Sequence, residues 1–298
     1  MEFRTFGRTG LEVSALGFGG AEIGFAQENS VNVQRLIDSA LDSGVNVFDS
    51  AAAYLTSERL LGEALKGRRN GLILMTKCGA LDGFSRSDWS KAGILATIEQ
   101  SLRNLQTDFL DVVFLHSCGV LEFLWGEAAD GLRTAREKGY VRFLGYSGDG
   151  SPALEAVKSG IFDVLETSIN IVDQEAITLT LPLAQERGMG VVAKRPIANA
   201  VWRHSSLPEN GYHQEYWRRL QVLAYAFAAP PAAEAASTAL RFTLHQPGVH
   251  TAIVGTTNPE RFMDNVKSLK KGALPEKEEQ SIRSRWLEAA DPTWVGQV

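Results

Sequence analysis

The sequence contains only two cysteines, Cys78 and Cys118, which are too few for a disulfide scaffold and are consistent with a reducing compartment. No apolar run approaches the roughly 18 residues that span a bilayer, and the N-terminus lacks the apolar core of a signal peptide. Basic residues are in slight deficit, because the formal net charge is −5. A nucleic-acid-binding face would normally be basic. We therefore expect a cytoplasmic protein that binds neither membranes nor nucleic acid.

Short apolar runs alternate with longer amphipathic segments along most of the chain. The candidate strands are 16–19, 45–49, 72–76, 110–116, 141–146, 163–168, 190–194 and 251–254. The candidate helices are 30–43, 57–66, 91–105, 127–138, 152–159, 176–187, a region around 213–244, and 259–267. Repeated β-then-α units of this kind are typical of a (β/α)8 TIM barrel rather than an open doubly wound sheet. No low-complexity run divides the chain, so we expect 1–298 to form one α/β domain.

Three segments are expected as additions to this barrel. Residues 1–13 contain two short apolar runs around Gly-Arg-Thr-Gly, which predict an N-terminal hairpin that closes the lower end of the barrel. The longest insertion, 195–230, follows the seventh strand and is rich in aromatic residues and histidine. Residues 276–298 predict a C-terminal added helix and a tail. Either of the last two segments could fold over the upper end of the barrel.

Ionisable residues stand where three successive candidate strands end. Asp49 ends the second strand, Lys77 follows the third and His116 ends the fourth. Tyr54 lies in a small-residue loop five positions after Asp49. The carboxyl ends of the strands and the βα loops of a TIM barrel converge on one face, where its chemistry is built. We therefore expect an acid, a phenol, an amine and an imidazole to share one site.

These four groups suit the protonation of an oxygen on which negative charge develops. A phenol has an ordinary pKa of about 10 and gives up its proton reluctantly at neutral pH. A Lys77 ammonium close to Tyr54 favours the phenolate, and Asp49 keeps that ammonium charged and oriented. We therefore predict that Tyr54 is a proton donor with a lowered pKa. A neutral His116 would orient the substrate oxygen, and a carbonyl that is reduced by hydride fits this arrangement well.

A phosphate site is indicated after the last candidate strand. The sequence has no Gly-x-Gly-x-x-Gly after a strand, so Rossmann-type binding of a dinucleotide is not expected. Instead, Gly-Thr-Thr-Asn-Pro-Glu-Arg occupies 255–261 and leads to Asp264 and Asn265. Backbone N–H groups, hydroxyls and an arginine at a helix N-terminus suit a phosphate, and this fold often binds phosphate there. The run is also consistent with an ordinary helix N-cap followed by proline.

Several stretches together resemble the aldo-keto reductase superfamily, almost from Phe6 to Asn265. They are Gly-Arg-Thr-Gly-Leu-Glu-Val-Ser-Ala-Leu-Gly-Phe-Gly-Gly, Asp-Ser-Ala-x-x-Tyr, the Thr-Lys strand end, Asp-Phe-Leu-Asp-Val-Val-Phe-Leu-His and Gly-Thr-Thr-Asn-Pro-Glu-Arg. The resemblance implies a (β/α)8 barrel, NADPH-dependent reduction of an aldehyde or ketone to an alcohol, and a monomer. It also implies a catalytic tetrad of Asp49, Tyr54, Lys77 and His116.

The same resemblance implies a set of cofactor contacts. Ser147 touches the nicotinamide carboxamide, and Arg261 and Asn265 meet the adenosine end with its 2′-phosphate. The full set of candidate cofactor-binding residues is Gly20, Ala21, Asp49, Ser147, Glu166, Lys194, Arg195, Gly255, Thr256, Thr257, Arg261, Asp264 and Asn265.

Four positions depart from the family's pattern. Gly148 follows Ser147 where asparagine is frequent. Glu166 stands where glutamine is common, and a carboxylate accepts from the carboxamide but does not donate to it. Arg195 stands where an aromatic residue often stacks on nicotinamide, and its guanidinium plane is our candidate for that role. Gly255 replaces a lysine that some members carry, which leaves NADH possible beside NADPH.

Large apolar side chains are expected to line the substrate pocket. Trp125 follows the fourth strand and Trp202 lies in the 195–230 insertion. Leu121, Phe123, Leu124 and Trp294 are further candidates. Such side chains favour a carbonyl compound with an apolar or aromatic body, although they would equally serve to pack the loops onto the barrel.

Three alternatives to a reductase follow from the same residues. Lys77 at a strand end could form a Schiff base in a lyase, but Asp49 raises the pKa of a neighbouring lysine rather than lowering it. Cys78, His116 and Cys118 could bind a metal, but three scattered ligands make a poor hydrolytic site, and no metal is expected. The third alternative is an NADPH-binding redox sensor or regulatory barrel with little turnover. Nothing in the sequence excludes a sensor, but it would have no need for the phenol.

Overall fold

Parallel strands form the centre of the protein in a computed structural model that describes residues 1–297. The strands are β1 (Phe3–Thr5), β2 (Glu12–Ser14), β3 (Leu16–Gly19), β4 (Val47–Asp49), β5 (Ile73–Cys78), β6 (Ala80–Leu81), β7 (Arg86–Ser87), β8 (Leu110–His116), β9 (Val141–Ser147), β10 (Val164–Ser168), β11 (Gly190–Lys194) and β12 (Thr251–Val254). Eight of them close into a barrel in the order β10-β11-β12-β3-β4-β5-β8-β9. These are the eight strands predicted from the apolar runs, so the predicted (β/α)8 barrel is confirmed.

Helices surround this barrel. They are α1 (Ala21–Phe25), α2 (Ser30–Asp42), α3 (Ser57–Ala64), α4 (Lys91–Leu105), α5 (Val120–Leu124), α6 (Ala128–Glu137), α7 (Gly150–Ser159), α8 (Glu175–Leu179), α9 (Leu181–Glu186), α10 (Gly211–Leu223), α11 (Ala235–Leu244), α12 (Pro259–Leu269) and α13 (Glu276–Ala289). Side-chain caps begin several of them, since Asn29 accepts from Asn32 N at 2.9 Å and Ser90 accepts from Gly93 N at 3.0 Å. Among residues 1–297, no helix has both the length and the apolar character needed to span a bilayer.

Proline interrupts two of the predicted helices. The single helix expected over 176–187 is two helices, α8 and α9, and Pro182 lies in the first turn of the second. The helical region expected around 213–244 is likewise divided into α10 and α11, with Pro230 and Pro231 between them. Proline has no backbone N–H to donate and disfavours the helical conformation of the residue before it. The prediction of one continuous helix over 176–187 was therefore wrong, and the helical region around 213–244 consists of two helices.

The N-terminal hairpin closes the lower end of the barrel, where the strands begin. β1 and β2 pair antiparallel, and Phe6 between them is fully buried. Its ring packs into the cluster that fills the barrel interior, with Val47, Ile73, Met75, Val112, Phe114, Val164, Val192 and Ile253. Gly190 at the start of β11 leaves room for this ring, because a Cβ there would lie 2.8 Å from Phe6 Cε2. The predicted hairpin is therefore present.

The added C-terminal helix packs beside the barrel rather than in it. Trp286 of α13 joins a second apolar cluster with Tyr216 of α10 and Phe242 of α11. After α13, the tail runs towards the upper end of the barrel, where the strands finish. Val295 O accepts from Arg219 Nη2 at 2.7 Å, and Gly296 N donates to Glu175 Oε2 at 3.0 Å. The final position of the expected tail, 298, lies outside the described residues.

Candidate active site

Lys77 is the centre of a buried charge cluster at the upper end of the barrel. Its Nζ donates a hydrogen bond to Asp49 Oδ2 and another to the Ser50 carbonyl at 3.1 Å. Glu166 Oε2 lies 3.3 Å from the same nitrogen. The side chain of Lys77 is 0% exposed and each of the two carboxylates is 1% exposed. Strands β4, β5 and β10 thus bring two carboxylates to one ammonium inside the protein.

The cluster keeps Lys77 charged. Burial alone would lower the pKa of Lys77, but the charges of Asp49 and Glu166 outweigh burial and the pKa is raised. For Asp49, burial and the charge of Glu166 raise the pKa to about 8, against the opposing effect of Lys77. A lysine with a raised pKa carries no free electron pair at neutral pH. The lysine therefore suits an electrostatic role better than the Schiff-base alternative.

Tyr54 and His116 lie beside this cluster. The Tyr54 ring centroid is 5.3 Å from Lys77 Nζ and 5.5 Å from the His116 ring, which meets it edge-on. Burial raises the pKa of Tyr54 although Lys77 opposes the shift, so the predicted lowering of this pKa was wrong for the structure without substrate. Burial and the cations Lys77, Lys194 and Arg195 hold the pKa of His116 well below its ordinary value. The phenol is therefore protonated and the imidazole neutral at neutral pH.

Two phenylalanines that sequence reasoning missed form walls above Tyr54. Phe25 of α1 is 44% exposed and Phe84 is 51% exposed, although both rings belong to an aromatic group around the phenol. The Phe25 and Tyr54 centroids are 5.6 Å apart, and the Phe84 and His116 centroids are 4.9 Å apart. Phe84 lies in the hairpin of β6 and β7, and its φ of 70° is unusual for a bulky residue. Strain of this kind is concentrated at functional sites.

The two tryptophans expected in the substrate pocket lie elsewhere. Trp125 ends α5 and is 83% exposed, with its ring turned to solvent. Trp202 packs on the apolar cluster of α10 and α13. It also lines a groove that contains Arg261 and Asn265. Those two residues are the expected contacts of the adenosine end of the cofactor. Trp202 therefore lies with the adenosine-end residues rather than in the expected substrate pocket.

A second charge cluster lies at the ends of β9, β10 and β11. Lys194 Nζ is 2.9 Å from Asp149 Oδ2, and Asp149 also accepts from Ser168 N at 2.6 Å. Burial lowers the pKa of Lys194 although Asp149 opposes this. Sequence reasoning missed Asp149, which lies two positions after the end of β9. Ser147 at the end of β9 donates from Oγ to Glu166 Oε1 at 3.2 Å.

Arg195 is enclosed rather than free to stack. Its Nη1 donates to Ser168 Oγ at 2.7 Å and to the carbonyl of Gln297. Its Nε donates to the Tyr212 hydroxyl, and the guanidinium carbon lies 5.1 Å from the Tyr212 ring centroid. Arg195 was expected to stack on a nicotinamide ring. Its guanidinium group instead contacts the Tyr212 ring and the C-terminal tail.

The loop after β12 forms an N-cap for α12, and its role as a phosphate site stays a prediction. Asn258 Oδ1 accepts from Glu260 N at 2.8 Å and from Arg261 N at 3.3 Å, which begins α12. Thr256 Oγ1 accepts from Asn258 N at 3.0 Å, and the Thr257 carbonyl accepts from Asn32 Nδ2 at 2.8 Å. An open cleft of about 660 Å³ lies here, lined by Asn32, Arg35, Thr257, Asn258, Pro259, Glu260 and Arg261. The guanidinium groups of Arg35 and Arg261 line this cleft and suit a phosphate of a dinucleotide.

The loops that follow β3 and β12 lie against each other. Gly20 donates from its backbone N to Asp49 O at 2.8 Å, and Ala21 begins α1. A Cβ at Gly255 would lie 1.5 Å from Glu22 Oε2, so the Glu22 carboxylate presses directly on this glycine. Sequence reasoning missed Glu22, which adds a negative charge where some relatives carry a lysine.

The remaining expected cofactor residues lie on α12. Asn265 is buried, whereas Asp264 is exposed and pairs with Lys267 at 2.8 Å. Together with Arg261 they line the groove that Trp202 borders. The structure thus gathers the residues expected at the adenosine end along one helix.

The metal alternative receives no support from the thiols. Cys78 and Cys118 are both buried and free, and burial raises the pKa of each. Within residues 1–297, no group of three or more His, Cys, Asp or Glu side chains is arranged to hold a metal ion. A raised thiol pKa also disfavours the thiolate that metals bind.

Fold and site together define a TIM-barrel protein with a buried lysine, two carboxylates, a tyrosine and a histidine grouped at its upper end. The Aldo/keto reductase family profile matches residues 15–286, so the chain belongs to the aldo/keto reductase family. It is 28% identical to L-galactose dehydrogenase of Arabidopsis thaliana, covering 90% of this chain and 88% of that protein. It is 27% identical to the uncharacterized oxidoreductase YqkF of Bacillus subtilis (strain 168), covering 95% and 96%.

The fold agrees with solved structures of the same family. The holo form of the aldo-keto reductase AKR11C1 from Bacillus halodurans superposes with a TM-score of 0.81 at 29% identity, covering 96% of each chain. The resemblance inferred from the motifs is therefore confirmed. Membership of this family supports an oxidoreductase that uses a nicotinamide cofactor and acts on a small-molecule carbonyl compound.

Proposed function

We propose that this protein is an NADPH-dependent reductase that converts an aldehyde or ketone to an alcohol, with Tyr54 as the proton donor. The observation that carries the proposal is the grouping of a protonated phenol, a charged Lys77 and a neutral His116 at one partly open site. The substrate is a small-molecule carbonyl compound. We further propose that the protein acts as a cytoplasmic monomer.

Each member of the tetrad has a separate task in this proposal. A bound reduced nicotinamide supplies hydride to the carbonyl carbon. His116 donates a hydrogen bond to the carbonyl oxygen and directs it at Tyr54, because a neutral imidazole has a ring N–H to donate. Tyr54 transfers its proton as charge develops on that oxygen. Lys77 stabilises the phenolate that remains, and Asp49 orients Lys77 through the hydrogen bond to Nζ.

The cleft after β12 supports NADPH as the cofactor. Arg261 and Arg35 both line this cleft and supply positive charge for the additional phosphate that distinguishes NADPH from NADH. Ser147 and Glu166 face the nicotinamide end in the proposal, and Lys194 lies between the two ends. Glu22 opposes phosphate binding, so NADH remains a second cofactor for the same cleft.

A nucleotide titration tests the proposed function. We expect intrinsic fluorescence to report binding of NADPH, with weaker binding of NADH, followed by turnover of aromatic and aliphatic aldehydes. Arg261→Gln is expected to weaken NADPH by about tenfold and to leave NADH nearly unchanged, because only NADPH carries the 2′-phosphate that pairs with the guanidinium. Binding without turnover would support the sensor alternative. The absence of binding by either nucleotide would refute the proposal.

The walls above Tyr54 predict a preference among substrates. We expect Phe84→Ala to raise KM for planar aromatic aldehydes by about tenfold, because the ring contributes stacking and apolar contact of roughly 0.5–1.5 kcal/mol beyond its area. The KM for a short aliphatic aldehyde is expected to change little. Steady-state kinetics of the wild type and of Phe84→Ala, each with a matched pair of one aromatic and one aliphatic aldehyde, measure this difference in KM.

Phe3→Ala is the matched control for that comparison. Phe3 is also a large, half-exposed phenylalanine, but it lies in the hairpin at the lower end of the barrel. It is therefore expected to leave both KM values unchanged. An equal rise in KM for both aldehydes in Phe84→Ala would show that the ring maintains the fold of the site rather than recognising the substrate.

A further inference from the structure

Glu166 gives the candidate site one more carboxylate than the tetrad requires. Lys77 already pairs with Asp49, and Glu166 Oε2 approaches the same ammonium at 3.3 Å. Glu166 is almost fully buried, and Oε2 has no hydrogen-bond donor among residues 1–297. Its other oxygen, Oε1, accepts from Ser147 Oγ at 3.2 Å. Oε2 is thus engaged by the Lys77 ammonium as an ion pair, without the direct hydrogen bond that Asp49 Oδ2 receives.

The balance of charge around Glu166 is negative above about pH 8, where Asp49 is ionised. Two carboxylates face a single ammonium, and the nearest further cation, Lys194, is already paired with Asp149 at 2.9 Å. Asp49 Oδ1 is also buried without a hydrogen-bond donor among the described residues. Burial makes such an excess costly, since charges interact more strongly in the interior than in water. A ligand that brings positive charge to this position would offset the excess.

Oxidised nicotinamide is a ligand of that kind. The oxidised ring carries a positive charge and the reduced ring is neutral, so only the oxidised form gains from a nearby carboxylate. The ring must lie next to the carbonyl carbon whose oxygen Tyr54 protonates, if the proposed function is correct. The Tyr54 ring centroid lies 5.3 Å from Lys77 Nζ. The same Lys77 nitrogen contacts Glu166. Glu166 is therefore within Coulombic reach of the ring.

We propose that Glu166 is a specificity-determining residue for the redox state of the cofactor, whose charge strengthens binding of the oxidised nicotinamide relative to the reduced form. This inference rests on the proposed function. A neutral glutamine at this position would accept and donate hydrogen bonds without distinguishing the two forms by charge. The carboxylate instead favours the product side of a reduction, because hydride loss creates the positive charge that Glu166 stabilises. It also slows release of the oxidised cofactor.

Equilibrium binding tests this inference without turnover. The dissociation constants of NADP⁺ and NADPH are measured by fluorescence titration at pH 9, for the wild type and for Glu166→Gln. Loss of the charge is expected to raise the ratio of Kd for NADP⁺ to Kd for NADPH by about tenfold, chiefly by weakening NADP⁺. Glu166→Asp retains the charge and is expected to keep the ratio closer to that of the wild type.

Glu58→Gln is the matched control. Glu58 is also a buried glutamate, and it accepts from Thr76 Oγ1 at 2.7 Å and from Asn104 Nδ2 at 3.0 Å, away from the charge cluster of Lys77. Its replacement is expected to leave the ratio unchanged. Equal weakening of both nucleotides in Glu166→Gln, or no change in either, would overturn the inference alone. Failure of the wild type to bind either nucleotide would instead refute the proposed function.

Discussion

Replacement of Tyr54 by phenylalanine is expected to lower the rate of carbonyl reduction by about 100- to 10,000-fold, the usual contribution of a positioned general acid. The substitution removes only the hydroxyl, so the ring keeps its contacts with Phe25 and His116 at 5.6 and 5.5 Å. Nucleotide affinity is expected to stay close to that of the wild type. Single-turnover kinetics with saturating NADPH, together with a fluorescence titration, measure both quantities.

Tyr140→Phe is the control for this substitution. Tyr140 lies just before β9, and its ring is 5.5 Å from Lys138 Nζ on the outside of the barrel. Loss of its hydroxyl is expected to leave the rate unchanged. A rate for Tyr54→Phe within a few-fold of the wild type would assign proton donation to another group. Loss of nucleotide binding would show that the phenol holds the cofactor instead.

Replacement of Lys77 by methionine is expected to destabilise the fold by about 3–5 kcal/mol, the usual cost of leaving a buried charge without its partner. Both carboxylates that contact the ammonium, Asp49 and Glu166, are almost fully buried and would then face each other without a cation. Urea denaturation at neutral pH measures the free energy of unfolding. Activity is expected to fall as well, because the phenolate loses its stabilising charge.

The free energy of unfolding of this variant is expected to fall as pH rises. The pKa of Asp49 is already raised in the folded protein from 3.8 to about 8, so the native state binds a proton that the unfolded chain releases. The stability that this proton supplies is present at low pH and is lost as pH rises from 3.8 to about 8. Without Lys77 the folded pKa rises further, so Lys77→Met is expected to keep losing stability above pH 8, where the loss from Asp49 is complete in the wild type.

The double variant Lys77→Met with Asp49→Asn distinguishes the electrostatic part of the lost free energy of unfolding from the part that is due to packing. It removes one carboxylate together with the cation, so we expect part of the lost free energy of unfolding to return. A single variant as stable as the wild type would contradict the assignment of Lys77 as the balancing charge. A double variant no more stable than the single one would place the cost in packing instead.

The barrel could be read from the sequence because each strand is a local signal. Val45 to Phe48 and Leu110 to Leu115 are apolar runs bounded by turn residues, and such runs form strands wherever the chain carries them. Topology then places the residues at the strand ends on one face. The grouping of Asp49, Lys77 and His116 therefore required no knowledge of contacts between distant residues.

The pocket walls could not be read in the same way. Phe84 reaches His116 only because a two-stranded hairpin, β6 with β7, bends back over the upper end of the barrel. The local sequence Leu-Asp-Gly-Phe indicates a turn and nothing about its direction. Trp202 was misassigned for a similar reason, since the path of a long loop depends on tertiary packing. The break at Pro182, in contrast, was a local signal.

The hairpin at the lower end also has a consequence for proton exchange. Phe6 and its neighbours seal the barrel below the charge cluster, and Lys77 has no surface exposed to water. Tyr54 is half-buried and faces the mouth of the barrel. A proton that travels between bulk water and Lys77 therefore meets the phenol first. If substrate covers Tyr54 as proposed, this route to the cluster is closed while the substrate is bound.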